Sequence, residues 1–287
     1  MRSCLQKFAL LTVICLAVAG CGPPFYIDPV DLQAFIDAQE NEPTPRLVAI
    51  GLSGQAWWSP DGDPGNWIDS SPGGNNLRGI VFGNDRFAAV GDAGQAWWSL
   101  DGAPASWTDS SPGGSTLYSI AYGNGQFVAT GTGGQAWWSP DGSPASWIDS
   151  SMGGADAYAV TFGAGRFVAV GNSGWAWWSP DGTPASWTVS SPGGADAYGI
   201  AFGSGRFVAI GFGGQAWWSP DGTSGSWTVS RQGGNHLRGI AYGNGRFVAV
   251  GDAGQAWWSP DGGPGSWIDS SPGGNSLYGI AFGLLEN

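Results

Sequence analysis

Chemistry in this chain of 287 residues would have to come from few side chains. There is one histidine, His236, and there are three cysteines, Cys4, Cys15 and Cys21. No His, Cys and carboxylate cluster offers a zinc site. Residues 46–283 contain no Glu. A glycosidase requires two carboxyl groups about 5–10 Å apart, and Asp156 with Asp196 is the one tempting pair. What stands out instead is a set of recognition-type residues spaced forty apart: Arg78, Tyr118, Tyr158, Tyr198, Arg238 and Tyr278. Just before them stand Asn76, Thr116, Asp156, Asp196, His236 and Ser276, which also differ from copy to copy. Aromatic faces with Arg, Asp and Asn beside them suit a ligand held by stacking and hydrogen bonds. We expect a binding site here, with no catalytic residue, metal or cofactor. The alternative is drift at solvated loop tips.

The elements that must position these residues follow from periodicity. Fifty-two Gly and 19 Pro among 287 residues would fit a disordered chain. However, 19 Trp, 13 Phe and 7 Tyr are far more aromatic surface than such a chain carries. A Trp-Trp pair recurs at 57/58, 97/98, 137/138, 177/178, 217/218 and 257/258, with a third Trp at 67, 107, 147, 187, 227 and 267. Each forty-residue copy is then one supersecondary unit whose apolar faces are covered by its neighbours. One copy, residues 237–274, divides at Gly, Asn, Asp and Pro turns into four short runs, LRGIAYG, RFVAVG, QAWWS and SWIDS. Asn244-Gly245 is a two-residue hairpin signal. Four antiparallel strands per forty residues make a propeller blade. Adjacent Trp residues in a strand point to opposite faces, so each blade offers one indole to each neighbour.

The fold expected is therefore all-β, a closed six-bladed β-propeller over 46–283 with a tail at 284–287. The first run, RLVAIG (46–51), matches a second strand, and the last, LYGIAFG (277–283), matches a first strand. The two chain ends should complete one blade and remove open edges.

Each copy also carries a SPDGxxxxW segment, as in Ser59-Pro60-Asp61-Gly62 followed by Trp67, with Leu100 in place of Pro in one copy. This segment resembles the Asp-box of bacterial BNR-type, sialidase-superfamily propellers, as does the preceding GNGRFVAVG. The box here is one residue longer between Asp and Trp, and Gly directly follows Asp. The resemblance implies a propeller with the box between third and fourth strands, shaping turns. Asp61, Asp101, Asp141, Asp181, Asp221 and Asp261 are accordingly expected as turn caps rather than calcium ligands, which would need six to eight oxygens each. The family's sialidase chemistry needs three clustered arginines, a tyrosine activated by Glu and an acidic donor, and it does not carry over to these residues. Most of the repeated Trp should be inter-blade core. Trp175 breaks the period, standing where other copies have Gln, and is equally open to a surface-filling or a ligand-binding role.

The N-terminus reads as an address. Arg2 and Lys7 precede an apolar run at 8–18, too short to span a bilayer and suited to a signal peptide. Val18-Ala19-Gly20-Cys21 resembles the lipobox of bacterial lipoproteins, which implies lipidation of Cys21. Residues 1–20 would leave as the leader, and 21–45 would tether the propeller through a short helix. Loss of Arg2 and Lys7 takes the net charge from −12 to −14. A balance this acidic argues against nucleic-acid binding. The whole predicts a monomeric, lipid-anchored propeller of the bacterial cell envelope, held to the membrane by its N-terminal lipid. Its ligand is expected to be a glycan, recognised in lectin-like fashion, or an envelope or surface protein. Closure of the ring predicts that deleting residues 277–287 sharply lowers the melting temperature, and an unchanged midpoint would sink the closure argument.

Overall fold

A computed structural model describes residues 46–280; the expected leader, Cys21, tether and tail fall outside the described residues. The chain is a β-propeller of six sheets in sequence order. Blade 1 has three strands, Leu47–Ile50, Ala56–Ser59 and Ile68–Asp69. The other five have four strands each. Their first strands are Leu77–Gly83, Leu117–Gly123, Ala157–Gly163, Ala197–Gly203 and Leu237–Gly243. Their second strands run Arg86–Gly91, Gln126–Gly131, Arg166–Gly171, Arg206–Gly211 and Arg246–Gly251. The third strands are the Ala-Trp-Trp-Ser segments. The fourth are two residues long except in blade 5, where Thr228–Arg231 runs on to pair Arg231 with Ala216.

Alternation along the third strand divides the indoles as the pleat requires. Trp137 packs against Leu117, Ile120 and Phe127 in one apolar cluster, and Trp138 against Val128, Val160 and Phe167 in the next. Burial is greatest in the middle of the array, where Trp177 and Trp217 are 1% and 2% exposed, while Trp57 in blade 1 is 37% exposed. Second strands are the most buried segments, with Phe127, Phe167, Phe207 and Phe247 fully enclosed.

The first strands of neighbouring blades touch through a recurrent contact. A Cβ placed on Gly123 would lie 2.0 Å from Cγ of Phe162, and one on Gly83, Gly163 or Gly203 would lie 2.1 Å from Cγ of Tyr122, Phe202 or Tyr242. Each ring therefore lies flat on the bare backbone of the preceding blade. Each also leans on a Phe of its own blade, as Phe162 does on Phe167 at 4.8 Å.

The expected closing strand is described only as far as Ile280. Leu277 donates its N–H to the Gly251 carbonyl at 2.9 Å, as Leu77 does to Gly51. The Tyr278 carbonyl lies 2.8 Å from where a Gly239 Cβ would be, so residues 277–280 sit beside blade 6 where a first strand belongs. Among the described residues Leu47–Ile50 pairs with Ala56–Ser59 alone, and residues 281–283 of the expected strand lie outside them.

The glycine contact makes a firm prediction. Gly123→Ala should destabilise the protein by about 1–3 kcal/mol, the usual cost of overpacking a filled site. Urea unfolding checks this, and wild-type stability would mean that the Phe162 ring has room to move.

Candidate functional site

Each first strand carries one extra residue relative to its partner. In blade 4, Ala157 pairs with Gly171 and Ala159 with Val170, so Tyr158 has no partner in the ladder. The same shift frees Arg78, Tyr118, Tyr198 and Arg238. A β-bulge bends its strand and re-aims the extra side chain. The divergent residues of the sequence are thus the bulge residues of five consecutive blades. The residue is displaced where the second strand ends because Gly91, Gly131, Gly171, Gly211 and Gly251 bring their backbone against the carbonyl of the residue two before the bulge. A Cβ on Gly171 would lie 1.7 Å from the Asp156 oxygen.

The five side chains form a continuous row. Tyr118 and Tyr158 meet edge to face with centroids 5.5 Å apart and planes at 67°, and Tyr158 and Tyr198 are 6.0 Å apart at 44°. The Arg78 Cζ stands 5.8 Å from the Tyr118 centroid, and that of Arg238 5.1 Å from Tyr198. Each arginine is gripped by an aspartate of its own blade. Arg78 donates to Asp92 through Nε and Nη2, and Arg238 donates to Asp252 at 3.0 and 2.9 Å. The Thr132 hydroxyl donates to Tyr118 Oη at 3.1 Å. All three tyrosines are half-buried, whereas Tyr278 is 73% exposed and belongs to the described end of the chain.

Electrostatics differ along the row. Hydrogen bonding by Arg78 holds the Asp92 carboxyl below the ordinary carboxylate range against the opposing effect of burial, and Arg238 does the same for Asp252. Burial, followed by the charges of Asp156 and Asp196, pushes the Tyr158 hydroxyl up. Tyr198 is raised by burial and by Asp196, with Arg238 opposing.

Four of the residues before the bulge have a structural task that the sequence did not reveal. Asp156 Oδ1 accepts the N–H of Gly133 at 2.6 Å, and Asp196 Oδ1 that of Ser173 at 2.7 Å. Asn76 Oδ1 does so for Ser53, and His236 Nδ1 for Gly213. The donors are the central residues of short turns between second and third strands, all in the left-handed region, with φ of 52° at Ser173. This side chain therefore ties one blade's turn to the entrance of the next. Asp156 and Asp196 face the row while each commits one oxygen to this clamp, so as a carboxylate pair they are not both free.

Trp175 replaces a Gln that performs a similar tie in blades 2 and 3. Gln95 Oε1 accepts from the Asn75 N–H and Gln135 Oε1 from Ser115. Trp175 instead stacks on Trp177 at 5.6 Å and 24°, packed with Met152, which itself stands where most copies have Pro. It is half-buried, so its geometry is that of an apolar substitute for the polar tie. Arg231 was not singled out by sequence reasoning, although it breaks the period as Trp175 does. Its guanidinium lies 3.9 Å above the Trp257 ring and donates to the Gly214 carbonyl.

At the other end of the blades lie the box aspartates. Asp101, Asp141, Asp181, Asp221 and Asp261 each accept the N–H of the second residue on, at 2.9–3.0 Å. Asp61 accepts that of Asp63 at 2.9 Å and also binds Asn66. The repeated arginines serve the same end: Arg86 lies over Trp98 and donates to the Asp141 carbonyl at 3.1 Å, and Arg206 pairs with Asp261 at 3.5 Å. No group of three or more metal-type ligands occurs among the described residues.

No known family model and no curated protein matches this sequence. Solved structures do. The computationally designed Ika8 protein aligns with a TM-score of 0.66 at 13% identity, covering 84% of this chain and 77% of that one. The WD40 β-propeller domain of Doa1 aligns at 0.65 and 12%, covering 82% of each chain. YCF48 bound to the D1 peptide aligns at 0.64 and 18%, covering 83% and 82%. At such identities the likeness defines the class of fold, a β-propeller.

Two variants separate the roles at the mouth. Asp196→Ala should cost about 1–2 kcal/mol by stranding the Ser173 N–H, while Asp196→Asn keeps an acceptor and should stay within about 0.5 kcal/mol of wild type. Equal unfolding midpoints for both would leave the clamp without energetic weight. For Asp92, the folded carboxyl titrates below its unfolded value, so its contribution is present at neutral pH and fades as pH falls through the folded value. Asp92→Asn should therefore flatten the acid limb of stability against pH.

Proposed function

We propose that this chain is a binding module of the bacterial cell envelope that engages a protein partner through the row of bulge residues at the channel mouth. The observation that carries the reading is that five successive blades each give up a place in the ladder at the same point. The side chains so released gather in one row. The copies differ at this row, while the ring-on-glycine contact between blades repeats. Propellers commonly recognise ligands from this kind of loop face, and one structural neighbour is bound to a peptide. Attachment through a lipid on Cys21 and an envelope location belong to this proposal on the strength of residues 1–21 alone.

Carbohydrate is the second reading, and the two Arg–Asp pairs favour it as ready donors and acceptors for sugar hydroxyls. The tyrosines favour it less. A pyranose stacks on an open flat ring, and these rings tilt against each other, with arginines over Tyr118 and Tyr198. Both readings are of binding rather than catalysis.

A peptide display library and a glycan array, probed with wild type and with an Arg78→Ala, Tyr158→Ala, Arg238→Ala variant, test the proposal. Peptides retained by wild type and weakened at least about tenfold in the variant, a loss of about 1.4 kcal/mol, are the expected outcome. Selective glycan binding lost in the variant would transfer the site to the lectin reading. Ligands that ignore the variant would remove the mouth from consideration.

A further inference from the structure

We infer that the middle of the row, over Tyr158, is the seat for a basic side chain, a lysine or arginine presented by the protein partner proposed above. The inference rests on that reading and names the chemistry of its central contact.

The row contains its own precedent. The rings at both ends of the tyrosine series already have a guanidinium close by, Arg78 at Tyr118 and Arg238 at Tyr198. In each case an aspartate of the neighbouring turn, Asp92 or Asp252, steadies the cation. Tyr158 lies between them, and among the described residues no arginine stands over its ring. The position from which Asp92 and Asp252 grip their arginines is filled in this blade by Asn172, whose Oδ1 is buried with no hydrogen-bond donor. The Tyr158 ring is therefore present and the cation is missing, while Asn172, enclosed and neutral, is no part of the seat.

Charge points the same way. Arg78 with Asp92 and Arg238 with Asp252 are each neutral as pairs, which leaves Asp156 and Asp196 as the uncompensated charges of the row. Each spends one oxygen on a backbone N–H, and both act on Tyr158. A cation near a tyrosine face is attracted by the ring, and two nearby carboxylates strengthen the attraction. The chain as a whole carries a net charge of −12, which steers basic partners and repels acidic ones. A neutral sugar could hydrogen-bond to these carboxylates but would gain nothing from their uncompensated charge.

The test is a titration of the full chain in detergent, with isotope-labelled tyrosines read by NMR and Tyr158 assigned through Tyr158→Phe. The probes are tetralysine, tetra-asparagine, tetraglutamate and a glucosamine tetramer. Tetralysine should shift the Tyr158 ring signals more than those of any other tyrosine. Asp156→Asn with Asp196→Asn preserves the amide-oxygen clamps and removes the charges, and it should weaken tetralysine about tenfold. Asp109→Asn with Asp149→Asn, on the exposed fourth strands, should not. Should the first double variant fail to fold, Tyr158→Leu serves in its place with the same expected loss. Equal weakening in both double variants would mean diffuse attraction to an acidic surface and would overturn the seat. So would binding of the glucosamine tetramer alone. If tetra-asparagine binds at the same rings as tightly as tetralysine, the seat falls while the protein-partner reading stands. If no peptide perturbs any mouth tyrosine, both fall.

Discussion

The fold depends on the contact between an aromatic ring and the bare glycine backbone of the blade before it. A sheet of forty residues cannot bury both of its faces, so each blade must be capped on either side by another. Tyr122 on Gly83, Phe162 on Gly123, Phe202 on Gly163 and Tyr242 on Gly203 fix how closely the inner strands approach. Their spacing sets where every other inter-blade feature falls. Trp137 and Trp138 can serve different neighbours only because the blades stand at this separation. The arginine reach from Arg86 to the Asp141 carbonyl depends on it too.

Close approach at one end of the first strand is matched by release at the other. Where the second strand ends in Gly, its backbone meets a carbonyl of the entering loop, and the ladder slips by one residue. The bulge residue is left out of both the hydrogen-bond ladder and the packed core. Asp156, Asp196, Asn76 and His236, just before it, hold the loop in place by accepting a turn N–H. Carboxylate, amide oxygen and imidazole nitrogen all fill this role, so the clamp is made by residues of different type. Rigid blades thus present a short row of side chains that are fixed in place yet free in identity.

The fold was largely legible in the sequence, because a strict period of forty and an alternation of two leave little choice of architecture. The candidate site was legible as a set of divergent positions but not in its geometry. Arg78, Tyr118, Tyr158, Tyr198 and Arg238 stood out because the copies disagree there. That they sit on bulges did not, since a one-residue slip leaves no mark on hydrophobic alternation. Asp156 and Asp196 read as ligand-facing or drifting, and their backbone task required knowing which turn from the preceding blade comes within reach. Trp175 read as surface-filling or binding, and its stacking on Trp177, two residues on along the same strand face, leaves no mark in the period. Arg231 went unremarked because its partner, Trp257, belongs to the next copy.

The separation of interface from bulge also bears on how such a chain changes. Blades 2 to 5 carry the same glycine socket and blades 3 to 6 the same ring, while each of blades 2 to 6 contributes one letter, its bulge residue, to the row. Exchanging one forty-residue segment for another rewrites that short word by a whole letter and keeps joints of the same kind. On the function proposed above, a new binding surface is one recombination event away from an old one.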